Sequence, residues 1–399
     1  MAACSTIFAP LPSEARLSIL DNLFVFGDSV LDGGNGGLRT TMESNGTISF
    51  PPPPYADGRF SNGPTSVEYL WNRFNRSDPF YSLSTPLAPF RPSLAGGTNY
   101  AIGGASTGVG NNNGVSPVLG PVLAGYFENL GHAWQREAFK TSAPTFNPAT
   151  SLFVIELFPN DVLYTQTTGQ LVGSFDATQP PGPPAISTPP PTPATQVFQQ
   201  IIANAVTNIV SSVVDLYQHG ARNILVFNST DLGRLPAAGP PDQSPSQTLT
   251  LFSNVFNASL EGALHSIRPA LEDADLKIFD FYTLTNRIYA DPKAYGLDDD
   301  LTPCIRDLAC LTDPEVASRR IFWDELHPTT ALYQNVGQAL YRDVVARVPA
   351  PLPLAGVGVA FGYSRKLRKR INRQASSQVG GVQGTEQTGR TASLGSTNV

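Results

Sequence analysis

Residues 24 to 35 read Phe24-Val-Phe-Gly-Asp-Ser-Val-Leu-Asp-Gly-Gly-Asn35. The apolar run at residues 23–26 contains a β-branched valine and is typical of a buried strand in a parallel sheet. The run stops at Gly27, and Ser29 follows at the turn where a helix could begin. Open α/β sheets place their sites at the carboxyl ends of strands, where helix N–H groups favour developing negative charge. Ser29 is therefore a candidate nucleophile; the alternative is that Asp28 or Ser29 only caps a helix.

Apolar segments and amphipathic segments alternate along the rest of the chain. The apolar segments predict five strands, at residues 23–26, 98–102, 151–158, 223–227 and 276–281. The amphipathic segments predict helices, at residues 65–74, 122–139, 196–217, 246–267 and 330–346. This alternation predicts the α/β class: a three-layer α/β/α sandwich with a five-stranded parallel sheet. A Thr-, Gly- and Pro-rich stretch at about residues 165–195 is predicted to be an insertion or a lid.

The composition fits a soluble protein with a core and long loops. Hydrophobic residues make up 41% of the 399 residues and charged residues 15%, with 35 glycines and 36 prolines. The net charge is −6 and the main body carries no basic patch, which argues against nucleic acid as a partner. Cys304 and Cys310, six residues apart, either form a disulfide or are two free thiols. With Cys4 alone and no zinc-type spacing, we predict no metal site.

The chain offers few candidates for a catalytic base. Three of its four histidines lie in predicted helices or at their ends, with no partner pattern: His132, His219 and His265. The fourth, His327, follows Asp324 by three residues in a predicted turn. The Asp324 carboxylate can then hold the imidazole and fix its tautomer, which leaves the other ring nitrogen free to face Ser29. Asp324, His327 and Ser29 are therefore a candidate triad.

Candidate oxyanion donors follow two other predicted strands. Gly104 follows the strand at residues 98–102, and a glycine there lets its backbone N–H approach a substrate closely. Asn160 follows the strand at residues 151–158, and its side-chain amide can donate a hydrogen bond. Each such donor is typically worth roughly 3–4 kcal/mol of transition-state stabilisation. Tight turns without catalytic function are the alternative at both positions.

Taken together, these motifs resemble the GDSL (SGNH) serine esterases and lipases. The family's four marks stand in order: Gly27-Asp28-Ser29, Asn99-Tyr-Ala-Ile-Gly-Gly104, Asn160-Asp161 and Asp324-Glu-Leu-His327-Pro328. Segments beginning at Gly58, Ala290 and Phe322 are similar to the bacterial phospholipase/lecithinase/haemolysin-like branch, and fungal acetylesterases share much of the pattern. The resemblance covers residues 24–346. It implies a flavodoxin-like SGNH hydrolase fold and ester hydrolysis without a metal or organic cofactor.

The resemblance also implies roles for individual residues. Ser29 would be the nucleophile, His327 the general base and Asp324 the partner that orients it. The oxyanion hole would combine the Ser29 backbone N–H with Gly104 and Asn160; Gly103 competes with Gly104, which is preferred because it lies five residues after Asn99.

One position departs from the family pattern. Family members usually carry glycine two residues before the asparagine of the third motif, and here that position is Phe158. We expect its bulky ring to crowd the oxyanion hole or to narrow the acyl pocket.

The C-terminal region has a different composition. A proline motif, an apolar run and a basic cluster within residues 348–371 resemble the PEP-CTERM type of bacterial sorting signal, which implies export and association with the membrane or cell envelope. The alternative is a disordered tail with a basic patch. We predict an extension at residues 1–20 without a signal peptide, a hydrolase domain at 21–347, the sorting-like segment at 348–371 and a disordered tail at 372–399.

The predicted function is that of a secreted or envelope-located serine esterase acting on lipid or short-chain acyl esters. One alternative within enzymes is a carbohydrate O-acetylesterase. The alternative from another class is an inactive binding domain displayed at the envelope.

Overall fold

The computed structural model describes residues 17–173 and 194–345. One fully parallel sheet has the strand order β1-β2-β3-β4, formed by β1 (Asn22–Gly27), β2 (Ser151–Glu156), β3 (Asn223–Phe227) and β4 (Asp275–Phe279). The helices are α1 (Asn35–Glu43), α2 (Ser66–Phe74), α3 (Gly120–Gly125), α4 (His132–Ser142), α5 (Pro159–Thr168), α6 (Ala194–Gln218), α7 (Ser246–Ile267), α8 (Phe281–Ala290), α9 (Leu308–Thr312), α10 (Pro314–Ala317) and α11 (Thr330–Val345).

Alternate side chains of β1 enter two different hydrophobic clusters. Phe24 and Phe26 pack in a cluster that contains buried apolar residues of α4, α6 and α7. Leu23 and Val25 pack in a second cluster with α2, α8 and α11. Because successive side chains of a strand point to opposite faces, the sheet is covered on both sides. The predicted three-layer α/β/α arrangement is confirmed.

The predicted five-stranded sheet is wrong by one strand. Residues 98–102 run beside β1, and Tyr100 N–H donates to Val25 O at 2.7 Å, but the segment does not form a regular strand. The side chain of Asn99 accounts for this: Oδ1 accepts the N–H of Ala101 at 3.1 Å, and Nδ2 donates to Leu31 O at 2.9 Å. Such local side-chain bonds compete with a regular ladder. The sheet therefore has four strands and an irregular edge segment.

The predicted helix at residues 122–139 is two helices, α3 and α4. The break follows from close backbone packing at Gly131, where a Cβ atom would lie 2.6 Å from Gly110 O and also against Gly108 O. Asn129, with φ of 58°, turns the chain just before it. The chain must pass close to the loop at residues 108–110, and a continuous helix cannot do so.

Helix α6 is long and apolar enough over Gln196–Gln218 to cross a membrane by length and composition. Its buried apolar residues, among them Ile209 and Val213, belong to the core cluster that contains Phe24 and Phe26.

The predicted insertion at about 165–195 begins inside α5, and its residues 174–193 lie outside the described part of the chain. Outside it also lie residues 1–16 of the predicted extension, the sorting-like segment at 348–371 and the tail at 372–399.

Candidate active site

Ser29 lies on a tight turn directly after β1. The N–H of Leu31 donates to Asp28 O at 3.3 Å, and the N–H of Val30 donates to Asp28 Oδ1 at 2.9 Å. This places Ser29 at the carboxyl edge of the sheet. The chain also leaves β2 at this edge, because β1 and β2 are parallel.

Neither Asp28 nor Ser29 caps a helix. The N-cap of α1 is Gly34, and the carboxylate of Asp32 accepts the N–H groups at the start of the helix: those of Gly34 at 2.8 Å, Asn35 at 2.6 Å and Gly36 at 3.0 Å. Helix α1 therefore begins at Asn35 rather than beside Ser29. The capping alternative does not hold.

Ser29, His327 and Asp324 form a continuous hydrogen-bonded row. His327 Nε2 lies 2.8 Å from Ser29 Oγ, and His327 Nδ1 lies 2.7 Å from Asp324 Oδ2. The turn before α11 holds the pair, because Asp324 Oδ1 also accepts the N–H groups of Leu326 and His327 at 2.8 and 2.7 Å. The three residues, predicted from two separate motifs, thus meet with the spacing of a nucleophile, a base and an orienting carboxylate.

The charges of this row stabilise one another. Burial raises the pKa of Asp324, but the charge of His327, together with the hydrogen bonds to Asp324, lowers that pKa to about 2. Burial lowers the pKa of His327, but the carboxylates of Asp324, Asp28 and Glu325 outweigh it and raise the pKa above its ordinary value of 6.5. Asp324 is therefore an anion at neutral pH and stabilises a proton on the imidazole.

Gly103 and Gly104 make different use of their N–H groups. The N–H of Gly103 donates to Asp32 Oδ2 at 2.8 Å and is thus occupied. Within the described residues, the N–H groups of Gly104 and Ser29 have no acceptor. Gly104 has φ of 81°, a backbone conformation that favours glycine. Of the two glycines, Gly104 is the one able to donate to a substrate.

Asn160 lies in the first turn of α5, one residue after Pro159. Its Nδ2 donates one hydrogen bond, of 2.9 Å, to Asp28 Oδ2. An amide nitrogen carries two hydrogens, and Asp28 fixes the direction of the second.

These residues line one cleft of about 90 Å³ that is open to solvent. Ser29, His327, Gly104 and Asn160 all face it. Its other walls include apolar side chains (Phe60, Leu163, Leu235, Phe281) and polar ones (Asn112, Asn113, Thr230). The residues proposed for catalysis are therefore reached from solvent through a cleft of mixed polarity.

Phe158 does not line this cleft, so the expectation that its ring crowds the site is wrong. The side chain is fully buried and stacks on Phe256, with ring centroids 3.6 Å apart and planes 5° from parallel. Its φ is 142°, a strained value for any residue except glycine. This backbone conformation is a physical reason for glycine at the corresponding family position.

The other histidines lie away from the cleft. His132 is buried on α4, with Nε2 2.6 Å from Ser212 Oγ, and burial lowers its pKa to about 3. His219 is exposed, and His265 is exposed on α7. Reading these three as packing or surface residues agrees with their positions.

Cys304 and Cys310 form a disulfide, with Cα atoms 5.1 Å apart. They pack against Trp323, and the N–H of Cys304 donates to Phe322 O at 3.0 Å. The bridged loop thus supports the segment that leads into Asp324.

Two site residues were missed by the sequence analysis. Tyr55 donates a hydrogen bond to Asp324 across 269 positions of sequence, and it stands in a Pro/Gly-rich turn with no pattern that links the two. Glu156 ends β2 and faces the cleft. The one signal in the sequence that could have revealed Glu156 was its charge within the otherwise apolar run at residues 151–158.

The chain matches the family model described as GDSL-like lipase/acylhydrolase over residues 23–340. A GDSL esterase/lipase of Arabidopsis thaliana is 24% identical over 365 residues, which cover 82% of this chain and 87% of the relative. A second one from the same plant is 25% identical over 360 residues, covering 83% and 91%. The anther-specific proline-rich protein APG of Arabidopsis thaliana is 24% identical over 355 residues, covering 80% and 60%.

Proposed function

The chain belongs to the GDSL-like lipase/acylhydrolase family and is a hydrolase acting on ester bonds, and we propose that it works through Ser29, His327 and Asp324. The observation that carries the proposal is the hydrogen-bonded row in which Ser29 Oγ lies 2.8 Å from His327 Nε2.

In the first step His327 Nε2 accepts the proton of Ser29 Oγ as the oxygen attacks the ester carbonyl. Asp324 holds the Nδ1–H and stabilises the imidazolium that forms. The same proton then passes from Nε2 to the departing alcohol oxygen, and an acyl-Ser29 ester remains. Water, deprotonated by His327, attacks that ester and releases the acid, which regenerates the Ser29 hydroxyl.

The oxyanion formed in each step is assigned to three donors. The N–H groups of Ser29 and Gly104 are without acceptors in the described residues, and Asn160 Nδ2 has one hydrogen bond, to Asp28. Donors aligned before the reaction stabilise developing charge without reorganisation, and removal of one typically costs roughly 10²–10³ in kcat.

The substrate is proposed to be a carboxylic ester of a lipid or of a short-chain acid. The apolar wall formed by Phe60, Leu163, Leu235 and Phe281 suits an acyl chain. The second candidate, a carbohydrate O-acetylesterase, is favoured by the polar wall of Asn112, Asn113 and Thr230, which suits a hydroxylated alcohol.

The test is hydrolysis of aryl esters graded from acetyl to long-chain acyl by the wild type and by Ser29→Ala. We expect Ser29→Ala to lose turnover by at least about 10³-fold, with its thermal unfolding unchanged. A sharp acetyl optimum would select the acetylesterase. Full turnover by Ser29→Ala would reject the proposed mechanism.

Covalent labelling by a fluorophosphonate tests the remaining class, an inactive binding domain. We expect stoichiometric labelling that Ser29→Ala abolishes. No labelling of the wild type would favour the binding domain.

The proposed location is outside the cytoplasm or at the cell envelope. The bridged pair Cys304–Cys310 supports it, since disulfides persist in oxidising compartments. Fractionation of the producing cells would test it, and recovery in the cytosol would contradict it.

A further inference from the structure

Glu156 brings a second buried carboxyl group next to Asp28. It is the last residue of β2 and is paired in register with Gly27, the residue before Asp28. Glu156 is 3% exposed and Asp28 1%, and both line the cleft. The proposed mechanism gives Glu156 no role.

The carboxyl groups of Glu156 and Asp28 lie close enough for the charge of one to act on the other, so a proton on one can be donated to the other. The charge of Asp28 acts on Glu156, and the charge of His327 acts on Asp28. Two adjacent buried carboxylates cannot both ionise easily, so one group keeps a proton that the pair shares.

The surroundings show which group keeps it. The carboxylate of Asp28 accepts two hydrogen bonds, from the N–H of Val30 at 2.9 Å and from Asn160 Nδ2 at 2.9 Å, and the charge of His327 favours its ionised form. Glu156 Oε2 accepts no hydrogen bond within the described residues, and the backbone N–H of Asp28, which favours the ionised form of Glu156, is outweighed by burial and by the charge of Asp28. Glu156 is therefore the protonated partner and Asp28 the acceptor.

The other titratable groups nearby do not change this assignment. Tyr333 of α11 is buried and faces the pair, and Asp161 of α5 lies near Asp28. The phenol of Tyr333 is neutral at physiological pH. Burial raises the pKa of Asp161 to about 7, so its carboxyl is either neutral or adds negative charge. Both leave the ionised form of Glu156 unfavourable, and burial followed by the charge of Asp28 raises the pKa of Glu156 well above its ordinary value.

We propose that Glu156 is a positioning residue that, as a neutral acid, holds the Asp28 carboxylate in the place where Asp28 orients the Asn160 amide toward the oxyanion. This inference rests on the proposed function. It deepens that function by linking the buried acid to the oxyanion hole through the row Glu156, Asp28, Asn160.

Loss of the Glu156 proton would undo the arrangement in two ways. The two carboxylates would repel each other and release the Asn160 amide from its direction. A second negative charge would also lie beside the developing oxyanion and disfavour it. Activity should therefore fall on the alkaline side as Glu156 ionises.

The variant Glu156→Gln separates this role from simple packing, because glutamine keeps the shape and the donor but cannot ionise. We expect kcat at the optimum within about threefold of the wild type and a loss of the alkaline fall in kcat, with KM little changed. Glu156→Leu removes the donor, and we expect its kcat to drop roughly 10²-fold, since an oxyanion donor is misplaced. Glu325→Gln is the matched control: it lies by His327 and should leave the alkaline side unchanged.

A second readout does not depend on activity. Glu156 binds its proton more tightly in the native state than in the unfolded chain, so its contribution to stability is lost as pH rises through the native pKa. The melting temperature of the wild type should fall more steeply with rising pH than that of Glu156→Gln. If Glu156→Gln does not fold, the wild type alone provides the test. Its infrared spectrum should show the carbonyl band of a protonated carboxyl at neutral pH. As pH rises, this band should vanish together with activity.

Failure of the proposed function can be distinguished from failure of the role proposed for Glu156. Full turnover by Ser29→Ala would overturn the proposed function and this inference together. If turnover depends on Ser29 but Glu156→Gln keeps the wild-type alkaline fall, or the same dependence of stability on pH, the inference alone is overturned. Absence of the infrared band at neutral pH would also overturn it.

Discussion

The hydroxyl of Tyr55 donates a hydrogen bond of 2.7 Å to Oδ2 of Asp324, the same oxygen that lies 2.7 Å from Nδ1 of His327. Burial and the charge of Asp324 raise the pKa of Tyr55, so its hydroxyl keeps the proton that it donates. Asp324 is thus held from two directions, by its own turn and by a distant loop.

Removing this hydroxyl should weaken the orientation of the base. We expect Tyr55→Phe to lower kcat by about tenfold, because a hydrogen bond to a charged group contributes about 1.5 kcal/mol. The measurement is kcat and KM on a soluble aryl ester. Tyr69→Phe is the control, since its hydroxyl, 2.9 Å from Thr330 Oγ1, is also part-buried but does not contact the row. Equal losses in both variants would contradict the assignment.

The acid side of the pH profile should report His327. The imidazole must be neutral to accept the serine proton, and its pKa is raised above 6.5 because the nearby carboxylates outweigh burial. Activity should therefore rise with pH through a midpoint above 6.5. Removing the Asp324 charge in Asp324→Asn should move the midpoint down and lower kcat by about 10⁴-fold. A wild-type midpoint below 6.5 in kcat/KM would be inconsistent with these charges.

A methyl group at Gly104 should damage the oxyanion hole. Its Cβ would lie 2.8 Å from Asn113 Nδ2 and against Asn111 Oδ1, at a φ of 81° that alanine disfavours. We expect Gly104→Ala to lose roughly 10²-fold or more in kcat as the N–H is displaced. Gly120→Ala is a matched control: it has φ of 70° and open space around the added Cβ. It should cost stability through backbone strain while kcat stays close to the wild type.

At position 158 a glycine variant should be more stable than an alanine variant, the reverse of the usual order of stability. Alanine loses the buried ring and keeps the strained φ of 142°, whereas glycine loses the ring but relieves the strain. Loss of the ring costs about 3–5 kcal/mol, and the strain is worth about 1–3 kcal/mol. In urea unfolding we expect both variants to be destabilised, with Phe158→Gly the more stable of the two. Alanine more stable than glycine would show that the backbone there is not strained.

Local patterns in the sequence were sufficient for most of the architecture. The strands β1 to β4 follow from short apolar runs, and the long helices α6, α7 and α11 from an apolar period of about 3.6 residues; both patterns depend only on neighbouring positions. Asp324 and His327 were recognisable for the same reason, since three residues in one turn suffice to bring the carboxylate to the imidazole.

Contacts between distant segments were decided by tertiary packing. The irregular edge at Asn99 arises because its side chain bonds to Leu31, and Phe158 turns away from the cleft because Phe256 offers it a stacking partner. No local pattern records such pairs.

The sequence by itself thus determined the layers of the fold and the identity of the candidate nucleophile and base, because burial periods and turn spacing are local properties. The preference for Gly104 over Gly103 came from the spacing to Asn99, and tertiary structure supplied the physical reason: among the described residues Asp32 takes the N–H of Gly103 and leaves that of Gly104 free. Tertiary structure alone brought Tyr55 to Asp324 and Glu156 to Asp28. The energy of a buried polar group depends on which partners the packed chain places around it.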